Sequence, residues 1–384
     1  MVHTGILEKR IVIGMILGLG LFTMQGGKTE AAFNEEVGTG KPVLTVSGQT
    51  VTNGAGIETG GSTQTIYAGG TASSGIVTGS NGVSYGTLIN EGGTTNNITI
   101  IEYGYAVQNA GTADYTTIVD GAWQTLNGGS ANHTTINMGT QTVNNTATVT
   151  NTTINYVINY TPSGSYRYAG KQILNNDATA TGTILNGWMG NLDGGAFPTQ
   201  EVHNNAQVLN STINNAANQN LYDNAVANNT IINGTSTASN NFGQWLNGHS
   251  IAHNTTINGH GAQRVEENSK SYDVTLNDSS WLYSHGNGHV ENVKIYTTGL
   301  GGNIMYENSS AENVDIYNPG GQFCLYNDST ANNVTTHANG TYVLVQNNNG
   351  TISNLTMNGG TTNFNNREGA TIILLVILSL MLAW

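Results

Sequence analysis

One pattern constrains this chain before any other: a small or β-branched residue, any residue, Asn, two residues and an apolar residue recur at near-constant spacing. Val290-Glu291-Asn292-Val293-Lys294-Ile295 aligns with Ala311-Glu312-Asn313-Val314-Asp315-Ile316, Ala331-Asn332-Asn333-Val334-Thr335-Thr336 and Ile352-Ser353-Asn354-Leu355-Thr356-Met357. The third position forms a column through Asn97, Tyr115, His133, Asn151, Gly182, Asn210, Asn229, Asn254, Asp273, Asn292, Asn313, Asn333 and Asn354. Most steps are 18 to 21 residues, and three are longer, at 31, 28 and 25. Asn, Gly, Asp and His tolerate tight or left-handed backbone, whereas Tyr115 is a poorer fit. A fixed period of this length is the mark of a repeat architecture.

A second motif precedes each Asn: Gln, any residue, an apolar residue, then a Gly/Asn turn, as in Gln64-Thr65-Ile66, Gln124-Thr125-Leu126, Gln141-Thr142-Val143 and Gln244-Trp245-Leu246. Each repeat thus reads as two short alternating strands joined by Gly/Asn turns. One repeat offers about three inward apolar groups, each stabilising by ~1.5–3 kcal/mol, against the ordering of ~19 residues at ~1–2 kcal/mol each, so it should not fold alone. Stacking joins the thin cores and lets each strand bond to the rungs above and below. The expected fold is all-β, a parallel β-helix (β-solenoid) of about fifteen rungs of 18–21 residues, roughly 70 Å long at ~4.8 Å per rung. Asn97, Asn151, Asn210, Asn229, Asn254, Asn292, Asn313, Asn333 and Asn354 would then form an amide ladder along the axis. Helix is disfavoured because Gly, Asn and Thr crowd out the good helix formers. Apolar positions recurring over most of the chain argue against disorder.

Charge narrows the function classes. Only 9% of the residues are charged, so amides and hydroxyls must supply solubility. The net charge is −13, and the ten Lys and Arg form no basic stripe. Nucleic acid and anionic membrane surfaces therefore lack their electrostatic term. The one cysteine, Cys324, reads as a small buried hydrophobe.

The N-terminus has the form of a secretory signal: Lys9 and Arg10, an apolar stretch from Ile11 through Met24, and small-residue cleavage near Ala31. The expected division is 1–31 signal peptide, 32–45 leader, 46–365 solenoid and 366–384 apolar C-terminal tail. Ile372 through Ala383 is apolar but for Ser379. That run is short for a helical span and lacks the alternation of an outer-membrane strand. A short membrane tail, a truncated product and an out-of-frame end all remain open.

The Gln-x-apolar, Gly-Gly and Asn-x-Thr-Ile elements resemble the AIDA-like autotransporter adhesins over roughly residues 46 to 365. The resemblance implies a right-handed β-helix, export across the outer membrane, and roles in adhesion, autoaggregation and biofilm formation. Some members carry O-linked heptose. Matching acceptor positions here are Thr134, Thr135, Thr152, Thr153, Thr255 and Thr256. Members end in a translocator β-barrel of which this sequence shows no pattern.

The longer steps are insertions into the stack. The first two carry Tyr160, Tyr166, Arg167, Tyr168, Trp188 and Phe197. Aromatic rings on loops stack on sugar faces and Arg bonds hydroxyls or carboxylates, so these six are the candidate binding residues. His249 and His253, like His285 and His289, are four apart, a spacing without metal-binding meaning on short strands. Glu291 and Glu312 share a repeat position, which keeps open an alternative reading as a polysaccharide-active β-helix lyase or hydrolase. The preferred reading is non-enzymatic, with no cofactor or metal, an extracellular or outer-membrane-associated location, and host or bacterial cell-surface glycans or proteins, or other copies of the chain, as partners. Membrane contact enters only through export or the tail.

Overall fold

The computed structural model describes residues 34–37, 39, 41, 45–47, 50–51, 62–80, 84–161, 164–189, 196–235, 242–298, 302–305, 307–346, 350–359 and 361–365. The expected signal segment 1–31 and tail 366–384 lie outside the described residues. Every regular element among the described residues is a strand.

The strands wind into a parallel β-solenoid. One coil is Trp123–Leu126, Ser130–Asn132 and Thr135–Asn137; the next opens with Thr140–Val143, Thr148–Thr150 and Thr153–Thr161. Each strand pairs in parallel with its counterpart one coil on: Gln124 with Gln141, Ala131 with Val149, Ile136 with Ile154. The ladder of first strands runs from Asn34–Val37, paired with Thr63–Tyr67, to Thr361–Asn365. The wall therefore begins below residue 46, and part of the expected leader is a rung. Thirteen successive coils carry the column residue between Asn97 and Asn354, with further rungs on either side.

Coils such as 123–137 and 199–214 have three strands where the sequence suggests two, whereas from Val226–Gly234 onward the second and third run as one strand through the column residue and the coil has two. The column residue is the reason. It sits at positive φ at every one of its thirteen positions, from 52° at Tyr115 to 69° at Gly182, and Ser74 continues the row at 52°. Left-handed backbone bends the chain sharply without a loop, so the run turns a corner at the column residue, parting into two strands in some coils and continuing as one through the bend in others. The bend does not break the inter-coil bonding. The column N–H still donates to the coil above, as in Asn97 to Asp114 at 2.9 Å and Asn151 to Thr181 at 2.8 Å.

Alternation along each strand sends every second side chain inward, and the burial pattern of Trp123–Leu126 and its counterparts follows it. In the middle coils the interior divides in two. Ile118, Ile136, Ile154, Leu185, Ile213, Ile232 and Ile257 belong to one apolar stack. Leu126, Val143, Leu174, Val202, Leu221 and Leu246, with Ala131, Ala180 and Ala227, form another. Between them runs a buried seam of Gln124, Gln141, Gln172, Gln200, Gln219, Gln244 and Gln263, none more than 3% exposed. Each Nε2 donates to the Oε1 one coil below, at 2.8, 2.7, 2.6, 2.6, 2.7 and 2.6 Å in order from Gln141. Thr134, Thr183, Thr230 and Thr255 accept a second bond at 3.1–3.2 Å. The ladder ends where Ser271 Oγ donates to Gln263 Oε1 at 3.0 Å. Above it Leu282 and Val274 replace Gln and Thr together, and the interior there is apolar but for small buried hydroxyls such as Ser284. Along the ladder from Gln124 to Gln263 the amides enter and leave as partners, while the buried hydroxyls of Ser250, Ser280, Ser284 and Ser309 have none among the described residues.

Candidate functional site

The longer steps all fall at one corner of the coil, between its third strand and the first strand of the next. At the first, Thr153–Thr161 runs out of the stack and returns as Gly164–Ala169, an antiparallel hairpin pairing Val157 with Tyr168 and Asn159 with Tyr166. Tyr166 and Tyr168, two residues apart, share one face of that hairpin and are 49% and 37% exposed. Arg167 points to the other face. Tyr160 pairs with Ser165 in the same hairpin, and its side chain lies outside the described residues.

The other two candidates are turned to packing. Trp188 bridges coils: its backbone pairs with Ala216, and its ring lies 5.4 Å from Tyr156 at the root of the hairpin. Phe197 packs on Phe242 at 4.7 Å between centroids, and both close over the buried Ala216. Among the candidates whose side chains are described, the exposed rings are thus Tyr166 and Tyr168.

The column residues bond along the axis. Asn229 Nδ2 donates to Asn210 Oδ1 at 3.1 Å, Asn254 to Asn229 at 3.3 Å, Asn313 to Asn292 at 3.1 Å and Asn333 to Asn313 at 3.0 Å. Asn354 donates to Asn333 at 3.2 Å, Asn292 to Asp273 at 3.1 Å, Asn97 to Ser74 Oγ at 3.5 Å and Asn151 to Asn132 at 3.1 Å. Where the column holds rings, they stack: Tyr115 and His133 lie 4.6 Å apart and 2° from parallel.

Two further ladders went unread in the sequence. Asn137, Asn155, Asn186, Asn214, Asn233, Asn258 and Asn277 bond in file at 2.8–3.0 Å along the end of the third strand. Their column then passes to stacked rings, Tyr296 on Tyr317 at 4.7 Å and Tyr317 on His337 at 4.5 Å. Burial, and then the charge of Asp315, raise the Tyr317 phenol above its ordinary value. Asn109, Asn127, Asn144 and Asn175 form another file at 2.9–3.1 Å, begun by Asn109 donating to Glu91 at 2.7 Å. The Thr-Ile-Asn triplets at 135–137, 153–155, 212–214 and 256–258 carried the signal.

The remaining candidates find ordinary partners. His285 meets Glu307 at 3.1 Å, and His289 meets Ser310 at 2.8 Å and Glu291 at 3.9 Å. Glu291 and Glu312 are register neighbours one coil apart. Cys324 is buried, which pushes its thiol up to about 11. On the outside of the first strands, Arg264 lies between Trp245 and Tyr283, 5.1 and 5.3 Å from the ring centres.

Burial corrects the acceptor positions. Thr134, Thr152 and Thr255 are at most 1% exposed and lie in the interior seam, so no sugar can reach them in the folded chain. Thr135, Thr153 and Thr256, one residue on, face outward.

No protein-family model matches the chain, and no curated protein matches it. Among solved structures, a crystal structure of a TibC-catalysed hyper-glycosylated TibA fragment is similar, with a TM-score of 0.53 and 23% sequence identity over 74% of this chain and 93% of that one. At that identity the likeness bears on the fold.

Proposed function

We propose that this chain is an exported surface protein of the adhesin-passenger kind, which binds cell-surface glycans or proteins, or other copies of itself, without catalysis. The observation that carries this reading is the form of the exposed surface. The stack presents rows of Asn and Thr along its length, broken in places by stacked rings, and carries at one corner a hairpin bearing two exposed tyrosines. Such rows give many weak directional contacts between parallel rods, and the screening of a net charge of −13 at physiological salt permits approach. The resemblance of the repeat to AIDA-like passengers, and of the fold to a hyper-glycosylated fragment, supports the same reading. It also makes Thr135, Thr153 and Thr256 the acceptors to examine for O-linked sugar.

The test uses beads coated with the purified chain. Clustering of beads with one another, or adhesion to bacterial or epithelial cells above that of uncoated beads, is expected. Absence of both would overturn the proposal. Glu291 and Glu312, in register one coil apart, are the feature that favours an enzyme instead. Turnover of a uronate or neutral glycan polymer, lost on Glu312→Gln, would establish that reading in its place.

A further inference from the structure

A second aromatic group stands at the same corner, several coils toward the N-terminus from the hairpin. Tyr85, Tyr103 and Trp123 come from three successive passages of the chain. The Trp123 ring is met edge-on by Tyr85 at 6.0 Å and 83°, and at a tilt by Tyr103 at 5.8 Å and 47°. Tyr85 is 43% exposed, and Tyr103 and Trp123 are half-buried. These rings were not among the residues singled out in the sequence, because no long step in the repeat marks them.

The backbone beneath them is unusual. Glu102 and Tyr103 are consecutive and both left-handed, at φ of 47° and 65°. The next coil makes the same turn with Asp120 and Gly121, at 53° and 74°. Tyr103 therefore occupies the place that the neighbouring coil gives to glycine, which a bulky L-residue adopts only against steric resistance. Most of the chain's described left-handed positions are Asn, Asp or Gly, and Tyr103 departs from them as Tyr115 does in the column. Its ring lies over Gly121, close enough that a Cβ there would come within 3.5 Å of it. The glycine of one coil thus leaves room for the ring of the other.

Two exposed carboxylates border the rings: Glu102, held by Thr78 Oγ1 donating to it at 3.4 Å, and Asp120. The sequence has no Lys or Arg between Lys41 and Arg167. Lys171, two rungs above Trp123 through Thr140, is engaged by Glu201 at 2.9 Å.

From this geometry we infer that Tyr85, Tyr103 and Trp123 form a binding site for a neutral pyranose ring. The C–H face of the sugar stacks on the Trp123 and Tyr103 rings, and Glu102 and Asp120 accept hydrogen bonds from its hydroxyls. Sialylated or uronate sugars are disfavoured, since the site offers two carboxylates and no cation to meet them. The inference does not depend on the tyrosine hairpin, nor on whether the chain acts as an adhesin.

The experiment presents neoglycoproteins ending in glucose, galactose, mannose, N-acetylglucosamine or sialic acid to the immobilised full chain. Binding of at least one neutral sugar is expected, at least tenfold weaker for Trp123→Ala and for Tyr103→Gly. Tyr166→Ala should bind as the parent does. Circular dichroism should be unchanged, and Tyr103→Gly should melt no lower than the parent, because glycine suits that turn. Three results would each overturn the inference: no neutral sugar bound, sialylated sugar preferred, or affinity retained by both Trp123→Ala and Tyr103→Gly. A lower melting point for Tyr103→Gly with binding intact would likewise mean that the ring serves the fold alone.

Discussion

Replacing Gln200 by Leu tests the buried seam at its centre. Gln200 is fully buried, donates to Gln172 Oε1 at 2.6 Å and Thr183 Oγ1 at 3.2 Å, and accepts from Gln219 Nε2 at 2.6 Å. Leucine has nearly the same volume, so the cavity term is small. What it leaves is an amide on Gln219 whose acceptor is gone, and an Oε1 on Gln172 and a buried Oγ1 on Thr183 whose donor is gone. A buried polar group without its partner costs ~1–3 kcal/mol, so three give a destabilisation of about 3–9 kcal/mol. The chain itself shows that Leu fits the position when polarity is removed in step, since Leu282 sits above Gln263 with Val274 in place of Thr. Single and double replacements should therefore differ. Gln200→Leu alone is costly, whereas Gln263→Leu at the ladder's upper end leaves Gln244 Oε1 and the Thr255 hydroxyl bonded to each other at 3.5 Å, deprives the Ser271 hydroxyl of its acceptor, and orphans no amide N–H. A stacked array need not unfold all at once. Native-state hydrogen exchange across coils 171–221 is thus the better assay, with urea unfolding followed by circular dichroism alongside it. Protection of those coils should fall by a hundredfold or more in Gln200→Leu and by less in Gln263→Leu. If Gln200→Leu keeps the parent's protection, the seam is not what holds the middle coils together.

Further expectations follow from particular residues. Asn313, at φ of 54°, should tolerate Gly but lose about 1–2 kcal/mol on replacement by Ala, read from thermal unfolding. Equal losses for the two would show that the side-chain ladder, not the backbone, governs the column. The Cys324 thiol, raised to about 11 by burial, should resist iodoacetamide at pH 8 in the folded chain and react readily in urea. By linkage the unfolded chain gives up that proton first, so stability should fall as pH rises from about 9 toward 11, and Cys324→Ala should flatten the fall. Tyr166→Ala with Tyr168→Ala should leave the melting temperature within about 1 °C, since surface changes are near neutral, while reducing bead adhesion. Unaltered adhesion would remove the hairpin from the binding surface.

The stack was readable because its tightest constraint is local. Only a few residue types accept left-handed backbone, so Asn, Gly and Asp recur there and set the register of everything between them. The same constraint was misread in one respect. Asn292 and its counterparts read as turn residues joining two strands, whereas they bend an extended run that in many coils stays a single strand, and the bend leaves no gap in the apolar pattern. The Gln motif was visible, but whether Gln124 or Thr125 points inward is decided by packing across the coil against Thr134. The hairpin shows a further limit. Spacing located the insertions, yet Tyr166 on a free strand and Phe197 against Phe242 look alike in sequence, and only the neighbouring coil distinguishes exposed ring from packed ring.

In the files of side-chain amides described above, the donor always belongs to the later coil and the acceptor to the earlier: Asn127 to Asn109, Asn155 to Asn137, Gln141 to Gln124. The amide dipoles are therefore aligned, and each bond polarises the next along the row. Each row thus has chemically unlike ends within the stack, as where the Gln row closes at its upper end on a hydroxyl donor, Ser271. Acceptor-only carboxylates sit where rows begin, Glu91 below Asn109 and Asp273 below Asn292. A row therefore extends in one direction only, since each coil added above must bring an N–H to the carbonyl oxygen left waiting below it.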